Sequence, residues 1–158
     1  MWGKIKPYVI SIAIALAVGG LSALLTKNNM EVYNTINRPP LSPPMWVFPV
    51  VWGILFVLMG ISSALVWVNR EQDIEAASSG LRIYALQLIV NFFWSIIFFN
   101  MQAYLFSFIW LLLLLALIIM MIIQFRKISP LAAYLQIPYL AWVTFAGYLT
   151  FMIYLLNR

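Results

Sequence analysis

Residues 83–125 form a run of 43 residues without a single charged side chain. As one helix that run would reach about 65 Å, roughly twice the thickness of a bilayer's hydrocarbon core. It must therefore fold back on itself. Its only polar interruption near the middle is Asn100-Met101-Gln102, which divides it into helices at about 81–100 and 104–125. Three further uncharged stretches, 7–26, 39–69 and 128–157, each reach the roughly 20 residues of a membrane span. They predict helices at about 7–26, 46–68 and 130–155, with a loop over about 27–45 between the first two.

The apolar runs are continuous rather than alternating, against a closed β-barrel. With 65% of residues hydrophobic and 8% charged, a soluble globular domain is excluded. The expected fold class is an all-α integral membrane protein, a five-transmembrane-helix bundle, with residues 1–158 as a single domain in the lipid bilayer. No polar mature domain follows the first apolar stretch, which argues against a cleaved secretory signal. Five spans put the termini on opposite sides. One side receives Lys4, Lys6, Arg70, Arg82, Arg126 and Lys127, the other Lys27, Arg38 and Arg158. The bias predicts a cytoplasmic N-terminus and an outward-facing first loop and C-terminus. The net charge of +5 is mostly this flanking charge, so no nucleic-acid partner is expected.

Composition also restricts the chemistry. The chain has no His and no Cys, which removes imidazole and thiolate nucleophiles, Ser-His-Asp triads, zinc sites and the common axial haem ligands. Its acids are Glu31, Glu71, Asp73 and Glu75, all between the apolar stretches. A carrier driven by carboxylates inside its spans is therefore not expected, and neither is a metal centre.

Aromatics remain, with 7 Trp, 8 Tyr and 11 Phe. In the third span Gln87, Asn91, Trp94 and Phe98 share one helical face. An amide at membrane depth must find a partner, so this face should look into the protein, toward a neighbouring helix or a ligand. The second span carries Trp52, Phe56, Met59 or Gly60, and Ser63; the fifth carries Pro138, Tyr139, Trp142, Phe145 and Ala146. Trp52 and Trp142 lie deeper than the headgroup belt where Trp46 and Trp67 belong. Such stripes serve packing, or they wall a cavity for a large flat ligand. The loop has four prolines in six positions, Pro39, Pro40, Pro43 and Pro44. They stiffen it either as a helix start or as a flap over the bundle mouth. Ser11, Ala15, Gly19 and Ala23 form a small-residue row on the first span, suited to packing within the chain or to a homodimer.

Three segments carry a resemblance. The run from Arg38-Pro39-Pro40-Leu41-Ser42-Pro43-Pro44-Met45-Trp46 through Trp52 resembles the first-loop signature of the tryptophan-rich sensory protein (TspO) or translocator protein family, also called peripheral-type benzodiazepine receptors. Gln87 through Ser95 resembles that family's third-helix motif. Ser129-Pro130-Leu131-Ala132-Ala133 and Ile137 through Ala146 resemble its fifth-helix motif.

The resemblance implies a five-helix bundle, commonly dimeric, with a pocket closed by the first loop. It implies porphyrin ligands such as protoporphyrin IX or haem, isoquinoline or benzodiazepine drugs, and no required cofactor. Carried over residue by residue, the ligand site is Tyr33, Pro43, Trp52, Phe56, Asn91, Trp142, Phe145 and Ala146. Light- and oxygen-dependent porphyrin degradation, the alternative activity, would use Trp52 and Trp142 as its redox-active residues; passive tetrapyrrole transport is a second alternative. Leu41 stands where many members have Trp, Phe56 where many have Tyr, and Thr150 where Asn is common. The sterol-recognition pattern is reduced to Tyr154 and Arg158. A bacterial plasma membrane is the expected location.

Overall fold

The computed structural model describes residues 1–158 and is helical throughout, without strands. Its helices are α1 (Trp2–Thr26), the single turn α2 (Val32–Thr35), α3 (Val47–Val68), α4 (Ile74–Ser95), α5 (Tyr104–Ile128), α6 (Pro130–Leu135) and α7 (Ile137–Asn157). A π-helical turn, Ile96–Asn100, continues α4, and a 3-10 turn, Arg70–Gln72, precedes it. Five segments are long and apolar enough to cross a bilayer: α1, α3, Ile74–Asn100, α5 and Pro130–Asn157. The chain is an all-α membrane protein of five spans, as the spacing of its charges predicts.

Three boundaries differ from expectation, the first being α1, which begins at Trp2, five residues before position 7, and runs through Lys4 and Lys6. α4 begins at Ile74, seven residues before position 81, because Asp73 caps it: the carboxylate accepts the Ala76 amide at 3.1 Å. Charged Glu75 and Arg82 bound the apolar run without ending the helix. The last span is broken at Gln136. Pro138 has no amide proton for the carbonyl one turn earlier, so α6 stops and α7 restarts. At the front of α6, Ser129 caps through Oγ to the Ala132 amide at 3.2 Å, with Pro130 at the position where proline is best tolerated.

The spans close into a ring, α1 against α3, α3 against α6 and α7, α7 against α5, α5 against α4, and α4 back on α1. Glycine permits the closest approaches. A Cβ on Gly60 would lie 2.5 Å from Ile12 Cα, so α3 meets the backbone of α1 there, and one on Gly80 would lie 2.9 Å from the Phe125 ring between α4 and α5. The small-residue row of α1 is partly used inside the chain: Ala15 is fully buried and Gly19 abuts Phe56. Hydroxyls and indoles reinforce the ring, with Ser62 Oγ donating to Ala132 O at 2.7 Å and Trp110 Nε1 to Val90 O at 2.7 Å.

At the end of the bundle bearing the first loop, Asn100 joins two helix ends. Its Nδ2 donates to the Leu25 carbonyl at 3.0 Å, and its Oδ1 accepts from Asn29 at 2.8 Å. The loop is stitched to α7 by four bonds, one of them from Asn37 Nδ2 to Leu156 O at 3.4 Å. Asn157 donates to Asn37 O at 2.8 Å and accepts from Asn37 N at 3.0 Å, while Tyr148 Oη donates to Pro40 O at 3.0 Å. Just after these ties Leu41 is exposed and adopts φ 71°, a left-handed conformation that costs a non-glycine residue on the order of 1 kcal/mol.

Candidate functional site

Under the loop the ring encloses a cavity of about 240 Å³. Five elements build it. The loop gives Met30, Tyr33 and Met45, α3 gives Phe48, Trp52 and Phe56, and α4 with its π turn gives Asn91, Trp94, Phe98 and Phe99. α7 contributes Ala146, Leu149, Thr150 and Ile153, and α1 contributes Val18, Gly19, Ser22, Ala23 and Thr26. Lys27, at the mouth, is the only charged residue among those lining it.

Tyr33 closes the loop side. Its ring is buried, meets Phe48 edge-on at 5.0 Å, lies under the Arg38 guanidinium at 4.6 Å, and donates through Oη to the Pro43 carbonyl at 2.7 Å. The prolines hold that carbonyl in place, so the loop is both a helix start and a stiff cover. Opposite, Trp52 and Phe56 stand 5.7 Å apart on α3, and Trp94 stacks on Phe98 at 5.1 Å and 20° on the far wall. Aromatic faces with few polar atoms favour a flat ligand.

Polar atoms in the cavity are scarce because the wall hydroxyls are already bonded. Thr26 Oγ1 donates to Ser22 O at 2.9 Å, Ser22 Oγ to Phe92 O at 3.3 Å, and Thr150 Oγ1 to Ala146 O at 2.7 Å. The exceptions are Ser95, Asn91 and Trp94. Asn91 Nδ2 donates to Tyr139 Oη at 2.7 Å, which leaves its Oδ1 free of protein partners on the cavity side. The Trp94 indole N–H has no protein acceptor.

Of the residues the sequence singled out, Tyr33, Trp52, Phe56, Asn91 and Ala146 line the cavity, and Pro43, Trp142 and Phe145 do not. Pro43 acts through its carbonyl on Tyr33. Trp142 lies behind Phe48, at 5.8 Å, and Phe145 behind Trp142, at 5.6 Å, on the outer flank of α7. The lining residues of α7, Ala146, Leu149, Thr150 and Ile153, all lie nearer its C-terminal, loop-facing end than either of these two. Of the two tryptophans considered for redox chemistry, only Trp52 reaches the cavity.

Trp94, Phe98, Phe48, Lys27 and the α1 wall were not foreseen as site residues. Trp94 and Phe98 share the Asn91 face, which was signal enough. α1 gave none, because Gly19 and Ala23 read as a packing row. No set of three His, Cys, Asp or Glu side chains comes together to hold a metal.

The sequence model of the TspO/MBR family matches residues 11–156. The chain is 37% identical over 159 residues to the tryptophan-rich protein TspO of Chlorobaculum tepidum, with 98% of each chain covered. It is 31% identical over 153 residues to the translocator protein of Homo sapiens, covering 97% of this chain and 89% of that one. With protein CrtK of Rhodobacter capsulatus it shares 35% over 125 residues, 79% of this chain and 78% of that one.

Proposed function

The chain belongs to the TspO/MBR family, and from that premise we propose that it is a membrane receptor for flat, largely apolar ligands of the porphyrin class. Protoporphyrin IX or haem are the expected natural type, and isoquinoline- or benzodiazepine-like rings the smaller one. The observation that carries the reading is the cavity itself, with aromatic walls from Trp52, Phe56, Trp94 and Phe98, one buried amide at Asn91 and one cation, Lys27, at the mouth. Flat rings gain by stacking and burial inside such walls, and a carboxylate at the ring edge gains from Lys27.

Size separates the two ligand types. At about 240 Å³ the cavity falls short of the roughly 300–1,000 Å³ of clefts that bury a whole drug-sized ligand. A bicyclic ring fits with the loop in place. A porphyrin requires Met30, Tyr33 and Met45 to move outward, so its association should be slow and governed by the loop.

Titration of protoporphyrin IX against tryptophan fluorescence tests the reading. Saturable quenching is expected, weakened tenfold or so by combining Trp52→Leu with Phe56→Ala, each of which removes stacking area worth on the order of 1 kcal/mol. Trp142→Phe should change affinity little. A double variant that binds as tightly as the parent would remove the cavity from consideration. Lys27→Glu should weaken the dicarboxylic porphyrin and spare an uncharged isoquinoline. Illumination of the complex separates reception from breakdown: a receptor loses porphyrin absorbance no faster than detergent-solubilised porphyrin does.

The proposal includes a homodimer in a bacterial plasma membrane, with the N-terminus cytoplasmic and the cavity mouth outside. The absence of cysteine makes orientation easy to test. Lys4→Cys should be shielded from an impermeant maleimide in intact cells and Arg158→Cys should be labelled. The reverse pattern would overturn the orientation, and a monomer by crosslinking in native membranes would overturn the dimer.

A further inference from the structure

Asn91 is held from behind by two residues that never reach the cavity. Its Nδ2 donates to Tyr139 Oη at 2.7 Å, and Tyr139 Oη donates to Gln87 Oε1 at 2.6 Å. Tyr139 and Gln87 are buried to within 1% and neither lines the cavity. The hydroxyl has one proton and sits between two side-chain amides, each with an oxygen and an NH2 group of nearly equal shape.

Such a chain can run in either sense. In the observed sense Tyr139 gives its proton to Gln87, accepts from Asn91, and the Asn91 oxygen faces the cavity. In the reverse sense both amides turn over. Gln87 Nε2 donates to the hydroxyl, the hydroxyl donates to Asn91 Oδ1, and the Asn91 NH2 faces the cavity. The observed sense leaves Gln87 Nε2 without a protein partner. The reverse sense leaves Gln87 Oε1 in that position instead. Each sense thus satisfies the hydroxyl twice and orphans one atom, so neither has an advantage in bond count. A ligand that needs one hydrogen bond can choose between them.

We infer that Asn91, Tyr139 and Gln87 form a reversible hydrogen-bond relay that sets whether the cavity offers its ligand an acceptor or only donors. The ligands it serves are flat apolar rings with a single polar group, either a hydroxyl or N–H donor or an ether or carbonyl acceptor. Tyr139 and Gln87 are positioning residues in this scheme. The inference rests on the cavity being the ligand site.

The test uses two rings of matched shape, indole, whose N–H only donates, and benzofuran, whose oxygen only accepts. Each is titrated calorimetrically into the full-length protein in detergent. Gln87→Met removes the hydroxyl's acceptor at that end, so Tyr139 must donate to Asn91 Oδ1 and the relay is fixed in the reverse sense. The affinity ratio should then move about tenfold toward benzofuran, the scale of one lost hydrogen bond. In a Tyr139→Phe background the same substitution should move the ratio by nothing. A purely structural role would weaken both ligands alike. In the unmodified protein, the Gln87 side-chain amide resonance should shift in different directions with the two ligands, which needs no variant to fold. A ratio unchanged within a factor of about two, identical resonance shifts, or a Gln87→Met effect that survives in Tyr139→Phe each overturns the relay. If both rings bind and the ratio stays put, the relay alone fails. If neither binds the unmodified protein, the cavity reading fails and takes the relay with it.

Discussion

Gly19→Ala offers a sharp test of how α1 shapes the cavity. Gly19 and Phe56 both line it, from α1 and α3. A Cβ on Gly19 would overlap the Phe56 ring, with Cζ at 3.1 Å and Cε2 and Cδ2 closer still. Ordinary contact begins near 3.5 Å, so the ring must retreat by about an ångström. Phe56 is buried and Trp52 stands 5.7 Å along α3, which leaves the cavity as the direction with room. The free protein accommodates the methyl by turning the ring inward at small cost. A ligand must then push the ring back, and overpacking of that kind costs about 1–3 kcal/mol. Affinity for an isoquinoline-type ring should therefore fall by about five- to 150-fold. Gly20→Ala is the control. Nothing lies within 4 Å of a Cβ there, so the variant gains the same helix propensity without the contact. Binding measured by fluorescence quenching for both variants isolates the contact, since propensity cancels between them. Equal affinities would refute the claim that α1 forms a cavity wall against Phe56.

Three further outcomes follow from single contacts. Gly60→Ala should unfold in detergent at lower denaturant than Gly53→Ala by the equivalent of about 1–3 kcal/mol, because the first meets the Ile12 backbone and the second meets nothing; overlapping unfolding curves would count against the α1–α3 packing. Tyr33→Phe frees the Pro43 carbonyl and should cost about 1 kcal/mol of loop closure, read as faster ligand dissociation and faster proteolysis within residues 37–45; unchanged rates would show that the hydroxyl does not hold the cover. Asp73→Ala removes the cap on α4 and should destabilise the protein by about 0.5–2 kcal/mol without altering ligand affinity, since the cap lies at the end of the bundle away from the cavity.

The spans were legible because lipid enforces a strict rule: charge stays at the ends, and backbone bonds stay inside helices. That rule locates membrane edges, and it is blind to helix ends that project into water, which is why α4 starts at Asp73's cap and not where the charges stop. The inward face of α4 was legible for the same reason. Gln87, Asn91, Trp94 and Phe98 are all nearly or fully buried, and an amide at that depth has nowhere else to go. α7 was harder to read. Tryptophan and phenylalanine satisfy lipid and protein equally, so a stripe containing Trp142 and Phe145 does not reveal which side of it faces in. Of the residues that do face in, Tyr139, Val143, Ala146, Leu149, Thr150 and Ile153, only Tyr139 and Thr150 carry a hydroxyl needing a partner.

That contrast indicates where specificity resides in a chain with so few polar groups. Aromatic walls hold any flat ring of suitable size and discriminate weakly among them, because the gain scales with area. Discrimination requires polar atoms whose loss leaves something unpaired. At the cavity those atoms are confined to a short list: the Asn91 amide, the Trp94 indole, the Ser95 hydroxyl and Lys27 at the mouth, with Tyr139 and Gln87 behind the first. In the proposed receptor, stacking residues would therefore set how tightly ligands are held as a class, and the amide–phenol–amide chain which of them is preferred. Substitutions at Trp52 or Phe56 should scale all affinities together, whereas those at Gln87 or Tyr139 should reorder them.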